Sequence, residues 1–543
     1  MTAHWLSEIR SRLEAHPTRV VLREGERELD AGAFLGLVGA FERELADVAP
    51  GERVALVAAN SAAWVAADLA CLSRGLVLVP FDPRQEPATT AALARAAGAV
   101  RVLHDGDGPR GVEAAALDLG APREPAPWTP PAPLDPAAPA TVLYTSGTTG
   151  SPKGAVLSHG NLEFMLDCTT ARLAELTGLG WGEEHALHYL PLCYAGSRIV
   201  VLSALRRGAT LTLLSDPRAL PDALLAARPH YLLNVPLVLE RFRAAAIEGV
   251  AAKGARATRL LQATLTAHAH PPRGLRGLAA RGTLALAKRT VVAKLRARFG
   301  GRLVGLICGS APLAPACQAF YEALGLPVYQ GYGLTETTAL CTLDRPGQIR
   351  VGYVGSALPG VELRLDEAGQ VLTRGPHVFA GYLDDPEASA RAFADGWFQT
   401  GDAGELDEAG RLKVLGRLNA VLVLQSGHNV PPEPVEEALR EALGPGVDVC
   451  LAGHGRPHLT AVVAGEGLDA ERVDAAVRAY NQTVAGPRRV QGVHVCPPFS
   501  EADGTLTSNL KLRRRAILAR YQAQLEGIYR GGPTVPAAGE GAA

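Results

Sequence analysis

Thr141-Val-Leu-Tyr-Thr-Ser-Gly-Thr-Thr-Gly-Ser-Pro-Lys-Gly154 runs a short β-branched apolar segment straight into a loop of glycines and hydroxyls. The first four residues read as a strand. From Thr145 to Gly154 three glycines, Gly147, Gly150 and Gly154, open backbone angles closed to other residues, so successive amides can turn inward. Thr145, Ser146, Thr148, Thr149 and Ser151 add hydroxyl donors, and Lys153 adds a compact positive charge. Together these suit a triphosphate. The competing reading is a plain surface turn, which has no need of so many donors in ten residues. The order G-x-x-x-x-G-K-[ST] is absent, so the loop is not of the Walker type.

Outward from this loop the same rhythm repeats. Val54–Ala58, Leu76–Val79 and Val100–Leu103 read as strands separated by Ala-rich segments of helical length. That alternation predicts βαβ units and largely parallel sheets covered by helices, an α/β fold. The proline-dense stretch Ala121 to Ala140 reads as an extended loop that delivers the chain into the strand at Thr141. At 543 residues the chain exceeds what one core usually serves, so two or more domains are expected.

Composition narrows the function classes. A formal net charge of -1 gives no global reason to expect nucleic acid, so a charged partner must meet a local patch. Between Arg241 and Gly300 stand thirteen Lys/Arg against one acidic residue, Glu248, amid Ala and Leu at helical spacing. This predicts a basic amphipathic surface, suited to peripheral contact with an anionic membrane or to steering a phosphate-rich ligand, the alternative being a solvated helical face. The eight cysteines form no C-x-x-C pair and have no His cluster beside them, which argues against a zinc site and a disulfide framework and fits a reducing cytosol. The N-terminus lacks a basic start followed by an apolar run, so no signal peptide is read and a cytoplasmic location is expected. Val54 to Pro80 is the most apolar long window, but Asn60, Asp68 and Arg74 interrupt it, against a membrane span.

Further motifs follow in order. They are Gly309-Ser-Ala-Pro312, Gly331-Tyr-Gly-Leu-Thr-Glu-Thr337, Thr400-Gly-Asp402, Gly416-Arg417 and Leu506-Thr-Ser-Asn-Leu-Lys511. With Thr145 to Asn161 they resemble the motif set of the adenylate-forming superfamily of acyl-CoA synthetases, adenylation domains and luciferases, from about Trp5 to Tyr529. The resemblance implies a large N-terminal domain, residues 1–418, of helix-covered mostly parallel sheets with a β-barrel-like portion. It implies a small mobile α+β C-terminal domain, 419–530; residues 531–543 read as a disordered tail.

The family's chemistry assigns roles to these positions. A carboxylic acid is already ionised at neutral pH, so the task is to bring one anion to the α-phosphate of another, ATP. By resemblance Lys153 and the loop residues Thr145, Ser146, Gly147, Thr148, Thr149 and Gly150 cradle phosphates. Glu336 holds Mg²⁺, Thr335 donates to the α-phosphate, and Tyr332 after Gly331 and before Gly333 stacks on adenine. Gly309, Ser310, Ala311 and Pro312 flank the base, Asp402 takes the ribose hydroxyls, and Arg417 anchors ribose or phosphate. Lys511 is the lysine that bridges carboxylate and phosphate oxygens. By residue type alone other readings stand: Thr335 and Glu336 as a helix N-cap and first turn, and Lys511 with Arg513, Arg514 and Arg515 as one basic helix face.

Arg228-Pro-His-Tyr-Leu-Leu-Asn-Val-Pro236 and Ser426-Gly-His-Asn-Val-Pro-Pro-Glu-Pro434 are similar to the long-chain acyl-CoA synthetase branch. There the glycine matching Gly427 lines the surface where pantetheine enters. The resemblance implies activation of a medium- or long-chain fatty acid to acyl-AMP and transfer to coenzyme A. Four positions depart from the pattern: Tyr194 stands where relatives carry a histidine beside the acyl carboxylate, Asn419 and Ala420 at the hinge, and His428 where the branch often has lysine. The altered hinge keeps open an acyl-AMP ligase that loads an acyl carrier protein; a non-catalytic nucleotide or lipid binder is the other alternative, and the intact Lys153, Glu336, Asp402, Arg417 and Lys511 argue against it.

Overall fold

In the computed structural model of the chain, the described residues are 4–106, 115–129, 134–145, 152–270, 274–418, 421–484, 486–507 and 510–531. Two large sheets dominate. The seven-stranded sheet runs, edge to edge, 381–382, 153–158, 139–145, 77–81, 53–57, 99–104 and 115–118. Its last five strands are parallel, as the alternation predicts, and the strands read at 54–58, 76–79, 100–103 and 141–144 lie there with ends moved by one to two residues. After the phosphate loop the chain continues as an antiparallel strand, not a helix: Thr145 pairs with Lys153 across the loop's mouth.

The nine-stranded sheet has a parallel centre built from 20–24, 210–213, 185–188, 231–234, 305–308 and 328–332, with antiparallel edges. Helix Ala62–Ser73 is buried on every side, which explains the unusual hydrophobicity of the Val54 to Pro80 window; it packs inside the molecule between two strands. Asp68 on this helix and Arg198 on helix Ala195–Arg206 form a bidentate ion pair, at 2.7 and 2.5 Å, with side chains 1% and 2% exposed. Among the described residues no helix is long and apolar enough to cross a membrane.

Beyond the two sheets, strands 362–365, 370–374, 393–394, 397–406 and 412–417 make a fully antiparallel five-stranded sheet. From Leu422 onward a three-stranded sheet, 448–452, 459–464 and 490–496, is packed by helices 432–443, 470–483, 514–520 and 522–531 around its own apolar clusters. Gly531, where the tail was expected to begin, closes the last of these helices; the rest of the tail lies outside the described residues.

Candidate active site

Parallel strands aim their carboxyl ends at one edge, and a crevice there collects the loops that follow them. In this chain both large sheets do so. Asp82 and Arg84 follow one strand, Thr145 ends another, and Asn234, Gly309 and Tyr332 end or follow three strands of the second sheet. All six line one cleft of about 2,210 Å³, whose lining also includes Lys413, Arg417, Glu433, Glu436, Glu501 and Lys511 from later in the chain.

The loops hold unusual backbone. A Cβ on Gly333 would overlap the Ala339 carbonyl, and one on Gly309 would sit 3.1 Å from the Gly331 carbonyl oxygen, so the two loops pack backbone to backbone. Ser310 is left-handed (φ 75°), as are Thr338 (φ 51°) and Ala339 (φ 95°). No helix follows Thr335. Thr335–Thr337 is a single 3₁₀ turn whose Leu334 N–H is taken by the Thr337 hydroxyl at 2.8 Å, which disposes of the N-cap reading. The Thr335 hydroxyl makes no hydrogen bond to a described residue and lines the cleft.

Glu336 is buried, 8% exposed, and the Tyr382 hydroxyl donates to its Oε1 at 2.9 Å. Burial and the Glu336 charge together push the Tyr382 hydroxyl far above its ordinary pKa, so it stays a donor. Lys153 lies over the Tyr382 ring, Nζ 5.2 Å from the centroid, and 3.9 Å from Asp385. Tyr382 itself meets Phe379 edge to face, and Phe379 stacks on Phe393 and meets Phe398 edge to face. The sequence motifs do not single Tyr382 out. Its only signal is an aromatic flanked by Gly381 and a turn near further phenylalanines, a pattern shared by ordinary cores.

Tyr332 donates from its hydroxyl to Asp402 Oδ2 at 2.6 Å, while Arg417 Nε sits 2.9 Å from Asp402 Oδ1. Asp402 and Arg417 face each other across paired strands, and Arg417 also donates to the Thr400 carbonyl at 3.0 Å. Burial pushes the Asp402 carboxyl up, against the opposing charge of Arg417.

Lys511 reaches this group from the C-terminal portion. Thr507 accepts from the Lys511 N–H at 3.0 Å and donates its own N–H to the Lys511 carbonyl at 2.8 Å, and Leu506 bridges Leu512, so a tight hairpin presents the lysine. Its side chain keeps contact with water inside the cleft. The surrounding protein and the Arg417 charge still lower its pKa to about 8, with Asp402 opposing. Lys511 precedes the helix Arg514–Arg520, so it is not part of one basic helix face with the arginines after it. Arg514 leaves the cleft lysine to make a bidentate pair with Glu436, at 2.6 and 2.9 Å, and donates to the Leu451 carbonyl.

Lys153, Thr145, Gly309 to Pro312, Tyr332, Gly333, Thr335, Glu336, Asp402, Arg417 and Lys511 therefore line one cleft, with Tyr194 beside them. Gly427 does not. It sits at φ 80° in the exposed turn between strands 422–423 and 429–430, beside His428, whose Nδ1 is 3.0 Å from the Ser426 hydroxyl. Ser146, Gly147, Thr148, Thr149, Gly150, Asn419 and Ala420 lie outside the described residues. An apolar arm of the cleft is lined by Leu173, Leu176, Ile199, Leu233, Ile307 and Leu343, contributed by five elements far apart in sequence.

Known proteins resemble this chain over most of its length. Residues 12–383 match the family described as AMP-binding enzyme, and residues 419–532 match the AMP-binding enzyme C-terminal domain. The chain is 31% identical to the long-chain-fatty-acid–CoA ligase FadD15 of Mycobacterium tuberculosis over 94% of its own length and 92% of that protein. It is 29% identical to human long-chain-fatty-acid–CoA ligase 1, over 74% of this chain and 62% of that one. Among solved structures, ATP-bound MatB from Rhodopseudomonas palustris superposes with a TM-score of 0.73 at 22% identity, covering 96% of this chain and 99% of that chain. The o-succinylbenzoate coenzyme A synthetase of Bacillus subtilis, solved with ATP and magnesium, gives 0.70 at 20% identity, covering 94% and 98%.

Proposed function

The chain belongs to the AMP-binding enzyme family, and from that premise we propose how its residues divide the work of an AMP-forming acid–thiol ligase. The enzyme uses ATP to activate a fatty acid to the acyl-adenylate with release of pyrophosphate, then passes the acyl group to the thiol of coenzyme A. In the first step a carboxylate oxygen bonds to the α-phosphorus and the bond to pyrophosphate breaks. In the second the thiol sulfur bonds to the carbonyl carbon and AMP leaves.

Neither step lacks a nucleophile; both need charge held in place. Lys511 supplies positive charge where the two anions must meet, and Thr335, whose hydroxyl has no partner among the described residues, adds a donor from the same cleft. Lys153 and the loop it closes hold the outer phosphates. Asp402, already an acceptor for Tyr332 and Arg417, takes the ribose hydroxyls. Glu336 fits Mg²⁺: one fixed carboxylate plus nucleotide oxygens is a donor set this ion favours, and when bound it supplies neutralising charge at the phosphates. Tyr382 fixes the orientation of that carboxylate. The acyl chain occupies the apolar arm from Leu173 to Leu343, whose aliphatic lining suits a medium or long chain.

Lys511 inside the cleft and Gly427 outside it support a two-pose cycle. The portion from 419 to 530 is a lid that closes with Lys511 for adenylation and turns about the hinge at Asn419 to bring Gly427 to the thiol. Coenzyme A is the acceptor; a carrier-protein phosphopantetheine presents the same thiol arm. The basic segment 241–300 is the surface for peripheral contact with a membrane.

The observation that carries this assignment is the convergence of Lys153, Glu336, Asp402, Arg417 and Lys511 on one cleft. The test is Lys511→Ala, followed in both half-reactions. Adenylation should fall by roughly 10²-fold or more, as when one preorganised donor is removed, while thioester formation from supplied acyl-adenylate stays nearly intact. Equal loss of both would refute the role.

A further inference from the structure

Helix Pro236–Ala251 has two working faces. Glu240, Arg241, Ala244 and Glu248 line the cleft, whereas Ala246, Gly249, Val250 and the following Lys253 line a second cavity behind it. That cavity has a volume of about 430 Å³ and lies between this helix, helix Ala255–Ala269 and the segment 286–298. Its size falls in the range, about 300–1,000 Å³, of cavities that hold a small ligand.

The floor is apolar: Val250, Val291 and Leu295 are buried there, and Leu286, 39% exposed, stands at the lip. A π-helical turn, Lys288–Val292, interrupts the regular winding where the chain passes the opening. The rim is cationic. Lys253, Arg256, Lys294 and Arg298 are all exposed, and none has a side-chain hydrogen bond or ion pair with a described residue. Four exposed cations, without a side-chain partner among the described residues, surround an apolar slot, and this pairing of charge and grease is complementary to an anion that carries an apolar part.

We propose that this groove takes one acyl chain of an anionic phospholipid from a bilayer, with the lipid phosphate held by Lys253, Arg256, Lys294 and Arg298. The charge favours a surface over a single soluble ligand. Arg259, Arg281, Lys288 and Arg289 are exposed on the same segment, which carries thirteen basic residues against Glu248, a spread matched by a field of head groups. The inference rests on the peripheral-contact reading of 241–300 and is independent of the ligase assignment. Because the helix that floors the groove also walls the cleft, the site sets the cleft's wall close to where acids partition from the bilayer.

The test is flotation of the full chain with vesicles of phosphatidylcholine alone or mixed with phosphatidylglycerol, at low and high salt. The protein should float only with the mixed vesicles and be released by salt. The variant K253Q/R256Q/K294Q/R298Q should lose roughly tenfold or more in partitioning, four charges near the surface being removed. Ala246→Trp, which fills the slot with the charges intact, should also weaken it, and Arg218→Gln, on another exposed segment, should not. ATP–pyrophosphate exchange without vesicles, unchanged in all variants, shows that they fold. If the parent chain floats and the rim and slot variants float equally well, the groove is not the site although the peripheral contact stands. If the parent chain does not float, both are wrong.

Discussion

Lys511 shows how much of this site is chemistry at a single atom. A lysine in water has a pKa of about 10.4; here protein atoms and Arg417 lower it to about 8. Its charged form is present below that value and is lost as pH rises through it. The adenylation kcat/KM for ATP should therefore bend downward with an apparent pKa near 8, and a profile flat to well above that would show that Lys511 holds its proton as an ordinary lysine does or that its charge is not used. Bound phosphates favour the charged lysine, so the corresponding limb in kcat should lie at higher pH. Tyr382 is the second residue-scale case. Tyr382→Phe keeps the ring under Lys153 and on Phe379 but removes the donor to Glu336. Adenylation should weaken about tenfold, as for loss of a hydrogen bond to a charged group, with a higher Mg²⁺ requirement and a lower melting temperature in the ligand-free chain, the buried Glu336 carboxylate having lost its donor. Lys511 was legible because it sits inside a motif. Tyr382 was not, because its role lies in reaching across 46 residues to Glu336.

The elements owe their positions to patterns that are partly local. Short β-branched runs between Ala-rich segments were enough for the parallel strands and for the loop after Thr145. What local pattern left open was the continuation: Lys153–Ser158 pairs back antiparallel on 139–145, and no residue in the loop announces that. The apolar helix Ala62–Ser73 carries a charge, Asp68, whose purpose is visible only once Arg198 lies against it. Asp68→Ala leaves that guanidinium buried and unpaired, and should cost about 3–5 kcal/mol, read as a lower unfolding midpoint. Replacing both with apolar residues of similar size should recover most of the loss. Gly333→Ala acts at the same scale. A Cβ there meets the Ala339 carbonyl, so the 331–339 turn must open, and ATP-dependent activity should drop far more than stability.

Across the whole molecule the cleft is closed by contacts between the two portions. Arg84 is held by Asp82 and reaches Glu501 at 2.9 Å, and Leu510 packs on apolar clusters of both portions. Glu501→Gln removes a partly exposed pair, worth a factor of roughly two to five. It should slow adenylation by that amount and leave thioester formation from supplied adenylate unchanged or faster; equal slowing of both would show that the pair does not favour one pose. By itself the sequence determined the fold class, the order of the motifs and a triphosphate loop, because strand alternation and a Gly/Ser/Thr/Lys loop are local properties written in consecutive residues; the acid-activating chemistry came through the family resemblance that the motifs carry together. Only the tertiary structure decided that Asp402 is shared between Tyr332 and Arg417, that Arg514 serves Glu436 while Lys511 serves the cleft, and that Gly427 faces away. The contacts among them join residues 15 to 78 positions apart, and what a side chain does there depends on the distance and burial that packing alone sets.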